Sequence, residues 1–294
     1  MLLKLDLYRI FCEVASCRSF SKAAKALFMT QPAVSQSISQ LENILGTRLF
    51  TRTPKGVTLT REGQLVYEYA RSAINFLETG EEKLKEIQGL ITGELRIGVS
   101  DTTAKFFLVP YLDQFHKLYS NIKLNIINGT SVELCELLKA GHIDLAICNL
   151  PVEDPAIHSI PCMTVHDIFV AGTAYKDKIT HPLSLEELTQ LPLIFLEQKS
   201  NSRRYVERFF LGKGIRLNPE IELGSHDLLI LLAKINLGIS CVIKEYTQAE
   251  IETGRLFEVP LKEQIPDRSI GLCYLKRVLM SPSAQKFSSL ILNP

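Results

Sequence analysis

The sequence predicts an α/β protein in three consecutive parts: a small helical head closed by a two-stranded wing, one long helix, and a two-lobed α/β body. Three observations carry this. Apolar residues recur at helical spacing through the first part, with capping residues between the runs. A proline-free stretch from Arg61 to Ile91 follows. From Gly93 onward apolar strands alternate with helices, the pattern of βαβ units. At 294 residues, 46% hydrophobic and 22% charged, the chain is long enough for more than one domain and too apolar for disorder.

The head begins with Leu7, Ile10, Phe11 and Val14 at helical spacing. Ser19 is placed to cap a second helix whose buried face is Ala23, Ala24 and Leu27. Thr30 caps a third, with Pro32 in its first turn, Val34, Ile38, Leu41 and Leu45 inward, and Gly46 as its stop. Two short helices across a tight turn, the second presenting Gln31, Ser35, Gln36 and Ser39 outward, describe a helix-turn-helix. Such a second helix enters the major groove by its amino terminus, where N–H groups bind phosphate and amides read base edges. Pro54 and Gly56 mark a turn between two extended pieces, a wing that carries Arg52 and Lys55 to phosphates or the minor groove. The charge distribution agrees. Residues 1–71 hold ten basic and five acidic residues, net +5, so a chain of formal charge +1 has a remainder near −4.

The run from Phe11 to Gly63 resembles the winged helix-turn-helix of LysR-type transcriptional regulators. The likeness rests on Ser19-Phe20-Ser21-Lys22-Ala23-Ala24, Gln31-Pro32-Ala33-Val34-Ser35-Gln36, Gln40-Leu41-Glu42, Leu45-Gly46 and Leu49-Phe50-Thr51-Arg52. It implies duplex operator DNA as partner, contacted by Ser21, Thr30, Gln31, Pro32, Ala33, Ser35, Gln36, Ser39, Arg52 and Lys55. It also implies a homodimer or homotetramer and a small-molecule effector, leaves RNA polymerase open as a further contact, and calls for no cofactor or metal. Many family members carry Arg where Gln36 stands here, and an amide favours adenine where a guanidinium favours guanine.

After the wing, Val66, Ala70, Ala73, Leu77, Gly80, Leu84, Ile87 and Ile91 alternate by four and three residues, a heptad seam. The resemblance makes this a dimerisation helix, with paired heads on half-sites about one helical turn apart. The expected divisions are 1–60 for the head, 61–92 for the linker helix and 93–294 for the effector domain. Lobe I takes about 93–163 and 269–294, and lobe II about 164–268. The stretches Leu150–Thr164 and Gln264–Arg268 read as the two crossovers, and the sheets as largely parallel. This is a periplasmic-binding-protein-like layout, as the resemblance also implies.

In open parallel sheets ligands sit beyond the carboxyl ends of strands. Three polar loops fall there: Ser100-Asp101-Thr102-Thr103, Asn128-Gly129-Thr130-Ser131 and Gln198-Lys199-Ser200-Asn201-Ser202-Arg203. Each opens a helix, and hydroxyls with helix amino-terminal N–H groups suit an anion. The expected effector site is therefore Ser100, Asp101, Thr102, Thr103, Thr130, Ser131, Ser200, Asn201, Ser202, Arg203, Ser225 and His226, with Lys199 and Arg204 adding charge, for a carboxylate or other small anion. For any one hydroxyl, simple helix capping is the plainer reading.

Other functions find little support. There is no GxSxG elbow, P-loop, GxGxxG or HExxH, which argues against an enzyme. Seven cysteines without CxxC spacing argue against a disulfide framework or zinc site. Met1–Arg9 lacks the apolar run of a signal peptide, and the longest apolar stretch, Leu228–Ile243, is broken by Lys234 and Asn236, so a cytoplasmic location without membrane contact is expected. The alternative is a thiol-based redox sensor on the same scaffold. Peroxide-sensing relatives carry their reactive cysteine in the loop matching Leu196–Arg203, which has none here. Cys148, Cys241 and Cys273 lie on apolar strands, leaving Cys12 and Cys17 in the head as oxidisable candidates.

Overall fold

The computed structural model describes residues 4–53, 56–87 and 93–293. The head comprises α1 (Leu5–Cys17), α2 (Phe20–Ala26), α3 (Gln31–Leu45) and the antiparallel wing strands β1 (Phe50–Thr53) and β2 (Gly56–Leu59). The caps fall where the sequence places them. Ser19 accepts from the Lys22 N–H, Thr30 accepts from the Ala33 N–H, and Gly46 ends α3 in the left-handed region. Phe11, Val14, Ala23, Val34 and Leu49 are completely buried, and Phe11 and Phe20 both pack on Phe50 of the wing.

A buried carboxylate ties the reading helix to the wing. Glu42, 7% exposed, accepts from the Leu49 N–H at 2.8 Å and from Arg48 Nη1 at 3.0 Å. The wing is also held to the end of α1, where the Val57 N–H donates to the Arg18 carbonyl at 3.1 Å. Backbones approach closely beside it. A Cβ on Gly63 would lie 2.1 Å from the Leu49 carbonyl oxygen, so only glycine lets the next helix cross there.

That helix, α4 (Arg61–Ile87), begins along the apolar stripe and then leaves the head. Val66 and Ala70 pack in the head core beside Ile74, whereas Ala73, Leu77, Gly80 and Leu84 are exposed. Ile91, the last position of the expected seam, lies outside the described residues, as does the side chain of Ile87.

The body contains two five-stranded mixed sheets. The first has the order β4-β3-β5-β12-β6, built from β3 (Glu94–Val99), β4 (Lys123–Asn128), β5 (Leu145–Asn149), β6 (Ile157–Val165) and β12 (Arg268–Leu275). β3 runs parallel to β4 and β5, while β12 runs antiparallel to β5 and β6. The second has the order β11-β7-β10-β8-β9, from β7 (Asp167–Gly172), β8 (Leu193–Leu196), β9 (Ile221–Leu223), β10 (Ile239–Ile243) and β11 (Leu256–Glu258). β8 is parallel to β9 and β10, with β7 antiparallel to β10 and β11.

Two expectations need correction. The sheets are mixed rather than largely parallel in their pairing, because β12 in the first and β7 in the second each run against both neighbours. The stretch expected as a loop crossover holds β6, a nine-residue edge strand. It is half-exposed and interrupted by Pro161, so it lacks the apolar signal of a central strand. The crossings between sheets narrow to His166, between β6 and β7, and to the residues entering β12. Around the sheets lie α5 (Asp101–Thr103), a π-helical turn at Ala104–Leu108, α6 (Val109–Leu118), α7 (Ser131–Lys139), α8 (Leu185–Thr189), α9 (Asn201–Gly212), α10 (His226–Lys234), α11 (Lys244–Glu252) and α12 (Pro282–Leu292). Among the described residues no helix is long and apolar enough to cross a membrane.

Glu42→Ala strands the buried Leu49 N–H. It is expected to cost about 2 kcal/mol in head stability, read as a lower unfolding midpoint together with faster amide exchange at Leu49 and Phe50.

Candidate functional site

On the head, α3 presents a polar amino-terminal face. Ser21, Thr30, Gln31, Pro32, Gln36 and Ser39 are exposed, with Ala33 and Ser35 half-buried beside them. Gln31 Nε2 donates to Ser35 Oγ at 3.4 Å, so this pair is partly self-satisfied. The Gln36 amide makes no hydrogen bond among the described residues and stands free to reach a base edge. Of the expected wing contacts, Lys55 and the side chain of Arg52 lie outside the described residues.

The body encloses a cleft of about 500 Å³ between its two sheets, within the usual range for small-molecule sites. Four helix starts converge on it. Ser100 opens α5, Thr130 α7, Ser200 α9 and Ser225 α10, each hydroxyl accepting from an N–H three residues on. For these four the plain capping reading therefore holds. Every expected effector residue lines the cleft except Arg203. That guanidinium is 3% exposed and turned inward: Nε donates to Glu207 at 2.6 Å, Nη1 to the Leu196 carbonyl at 2.7 Å and Nη2 to Glu222 at 3.1 Å, above the Phe195 ring. It organises the second lobe and contributes no charge to the lining. Arg204 is likewise engaged, donating to the Gln198 carbonyl.

The cleft is organised from beneath by Arg268. Its guanidinium grips Asp167 in a two-pronged ion pair of 2.5 and 2.8 Å, both partners buried. Its remaining donors reach Asn149 Oδ1 at 2.7 Å in the first lobe and Ser202 Oγ at 3.0 Å in the second. Asn201 adds a strap across the lobes, donating from Nδ2 to the carbonyls of Asn149 and Pro151. At the mouth Lys105 pairs with Asp227 at 3.1 Å.

These bonds set the polarity of the lining. The Ser202 oxygen already accepts from Arg268, so its proton is left to donate. Asn149 Oδ1 accepts from the same arginine, and its Nδ2 keeps both donors. His226 Nε2 accepts from the Ile243 N–H at 2.9 Å, so the neutral ring carries its proton on Nδ1, which is buried without a partner among the described residues. The Tyr246 hydroxyl is also unpartnered there. The lining is thus rich in donors, and Arg268 engages part of the acceptor capacity of Ser202 and Asn149. Ser225-His226-Asp227 is no catalytic relay, since Asp227 pairs with Lys105 and His226 Nδ1 meets no carboxylate.

Asn149, Lys105, Glu197 and Tyr246 also line the cleft and were missed by sequence reasoning. Asn149 and Glu197 sit at strand carboxyl ends, where the strand-end rule could have found them. Lys105 and Tyr246 lie inside helices and gave no signal.

The thiols are poorly disposed to oxidation. Burial pushes Cys12 up to about 11 and Cys241 well above its ordinary value. Cys17 is raised by the Glu13 carboxylate, to which its Sγ donates at 3.2 Å. Each shift depletes the reactive thiolate. Among the described residues no group of three or more His, Cys, Asp or Glu could hold a metal ion.

Burial pulls His226 down to about 4, so it is neutral near pH 7. The unfolded chain takes up this proton at higher pH than the folded chain does. The stability it lends is therefore complete above the ordinary histidine value and is lost as pH falls toward 4. Acidifying from pH 6.5 to 5 is expected to cost about 2 kcal/mol at this residue. The check is a drop in urea midpoint over that interval that is smaller in His226→Gln.

Comparison with known proteins agrees with both parts. The LysR substrate binding domain model matches residues 88–293, and that for the bacterial regulatory helix-turn-helix protein, lysR family, matches residues 5–64. The RuBisCO operon transcriptional regulator of Allochromatium vinosum is 29% identical over 286 residues, covering 97% of this chain and 94% of its own. The HTH-type transcriptional activator CmpR of Synechocystis is 30% identical over 236 residues, covering 80% and 77%. Full-length CbnR, solved in complex with its target DNA, superposes with a TM-score of 0.67 at 19% identity, over 98% of this chain and 99% of that one. With a matched body model spanning most of its length and a matched helix-turn-helix head, the chain belongs to the LysR family of DNA-binding transcriptional regulators and is not an enzyme.

Proposed function

We propose that this regulator grips a pseudo-palindromic operator through paired copies of α3 and is modulated by a small anion held in the cleft of its body. The observation that carries the effector half is the set of donors on the lining: His226 Nδ1–H is buried without a partner among the described residues, and the Ser202 hydroxyl and Asn149 amide keep their donors while Arg268 engages a lone pair on each oxygen. Such a surface selects acceptor groups, and a carboxylate or phosphate is the acceptor with most charge to stabilise. The domain division is read as a head to residue 60, a linker helix to 92 and an effector domain beyond.

The DNA half rests on the free amide of Gln36 and the exposed amino-terminal face of α3, with Ser21, Thr30, Gln31, Pro32, Ala33, Ser35 and Ser39 around it; Arg52 and Lys55 are carried as further contacts from the sequence alone. The exposed Ala73, Leu77, Gly80 and Leu84 of α4 support a homodimer or homotetramer, since an apolar stripe left in water favours a matching copy. The working location is the cytoplasm, where operator DNA is found. Effector binding biases the lobe arrangement only through different affinities for its alternatives. The thiol-sensor alternative has no observation in its favour.

Gln36→Ala is expected to weaken operator binding by about 1–3 kcal/mol and to relax base preference. Gel-shift titration against operator variants reads this, and unchanged binding to all of them would mean that another residue reads the base. For the cleft, calorimetric titration of the full-length protein with a panel of carboxylate and phosphate metabolites should give saturable binding. Ser202→Ala should reduce the affinity about tenfold. Binding confined to cationic or apolar compounds would refute the anion reading.

A further inference from the structure

The cleft is divided chemically between floor and rim. Its floor is neutral and buried, with Thr103, Ser131, Ser202 and His226 each less than one-tenth exposed. Its rim is charged and wet. Asp101, Glu133, Glu197 and Asp227 face Lys105 and Lys199 there, so acids outnumber bases by two.

The pairing shows where that surplus lies. Lys105 is taken by Asp227. Glu133 turns back on its own helix start, accepting from the Thr130 N–H and hydroxyl at 2.9 Å each, contacts that hold it below the ordinary carboxylate range with help from Lys199. Among the described residues the Asp101 carboxylate accepts only from the neutral amide of Asn128. Glu197 has no side-chain hydrogen bond or ion pair among the described residues; its carboxylate lies against Gly224, where an added Cβ would stand 3.5 Å from Oε1. The unbalanced negative charges are therefore those of Asp101 and Glu197.

A plain dianion would have to pass this rim against repulsion. A molecule with an acceptor group for the floor and a cationic group for the rim meets complementary charge at both ends. The unpartnered His226 Nδ1–H, 4% exposed in all, supplies an independent sign that the floor awaits an acceptor. On the reading that the cleft takes an anionic group, we propose that the effector is a zwitterion of the amino-acid type, its carboxylate on the floor donors and its ammonium at Glu197, with Asp101 as the second carboxylate. The 500 Å³ of space accommodates an amino acid with a sizeable side chain.

The test is calorimetric titration of the full-length protein with three matched series: L-amino acids, the 2-hydroxy acids in which a hydroxyl replaces the ammonium, and the amines that lack the carboxylate. At least one amino acid should bind about tenfold more tightly than its hydroxy-acid counterpart and its amine. Glu197→Gln should close the gap to the hydroxy acid, weakening the amino acid about tenfold and, with one repulsive rim charge removed, leaving the hydroxy acid bound no more weakly than before. Hydroxy acids binding as tightly as amino acids would overturn the ammonium assignment and leave the anion reading standing. An amino-acid preference that survives in both Glu197→Gln and Asp101→Asn would overturn it too. If no carboxylate in any series bound, and phosphates also failed, the anion reading would fall and this inference with it.

Discussion

Asp167 opens the strand that carries the chain into the second sheet, Arg268 opens the strand that brings it back, and their side chains meet in a buried two-pronged ion pair. Taking two charges out of water costs several kcal/mol each, and attraction offsets this only when the remaining donors are satisfied. Here each guanidinium nitrogen has a partner, Nη1 donating to Asn149 from one lobe and Nη2 to Ser202 from the other as well as to Asp167. The pair is better understood as a device for specificity than as a source of stability. It joins the starts of the two strands that follow the crossings, directly beneath the cleft.

The chemistry of the cleft follows from how these bonds are spent. A hydroxyl or amide whose oxygen already accepts from the protein has its donor free and less acceptor capacity left for a ligand. By engaging a lone pair on the oxygens of Asn149 and Ser202, Arg268 biases the floor toward donation without placing a cationic group on the lining. His226 reaches the same condition through the Ile243 backbone, and its burial keeps it neutral. The floor can thus favour an acceptor through oriented dipoles while rim carboxylates govern which acceptors enter.

In the head, Glu42 plays a comparable part on a smaller scale. Its carboxylate is buried in order to satisfy a backbone N–H at the point where the chain turns from the reading helix into the wing. Gly63 lets the long helix cross that same backbone. Exposed residues such as Gln36 are left without intramolecular tasks, as is usual for groups that act on a partner.

The head was legible in the sequence almost residue by residue. Ser19, Thr30, Pro32 and Gly46 act on neighbours three or four positions away, and the spacing of Phe11, Val14, Val34 and Ile38 declares which face is buried. The hydroxyl loops of the body were legible for the same reason, since a strand end followed by a capped helix is a local pattern. The sequence could not say which cation would be free. Arg203 appeared to belong to the cleft and is consumed by Glu207, Glu222 and a carbonyl, while Arg268, at the end of an expected crossover, lies beneath the cleft and orients its lining. Asn149, Glu197 and Tyr246 joined the cleft, and β6 joined its sheet, by the same kind of long-range meeting. Asp167 and Arg268 are 101 residues apart, and no periodicity or capping rule spans that distance. Local hydrogen bonding and side-chain spacing are written in consecutive residues, whereas the partner that a buried charge finds is decided only when distant strands pack.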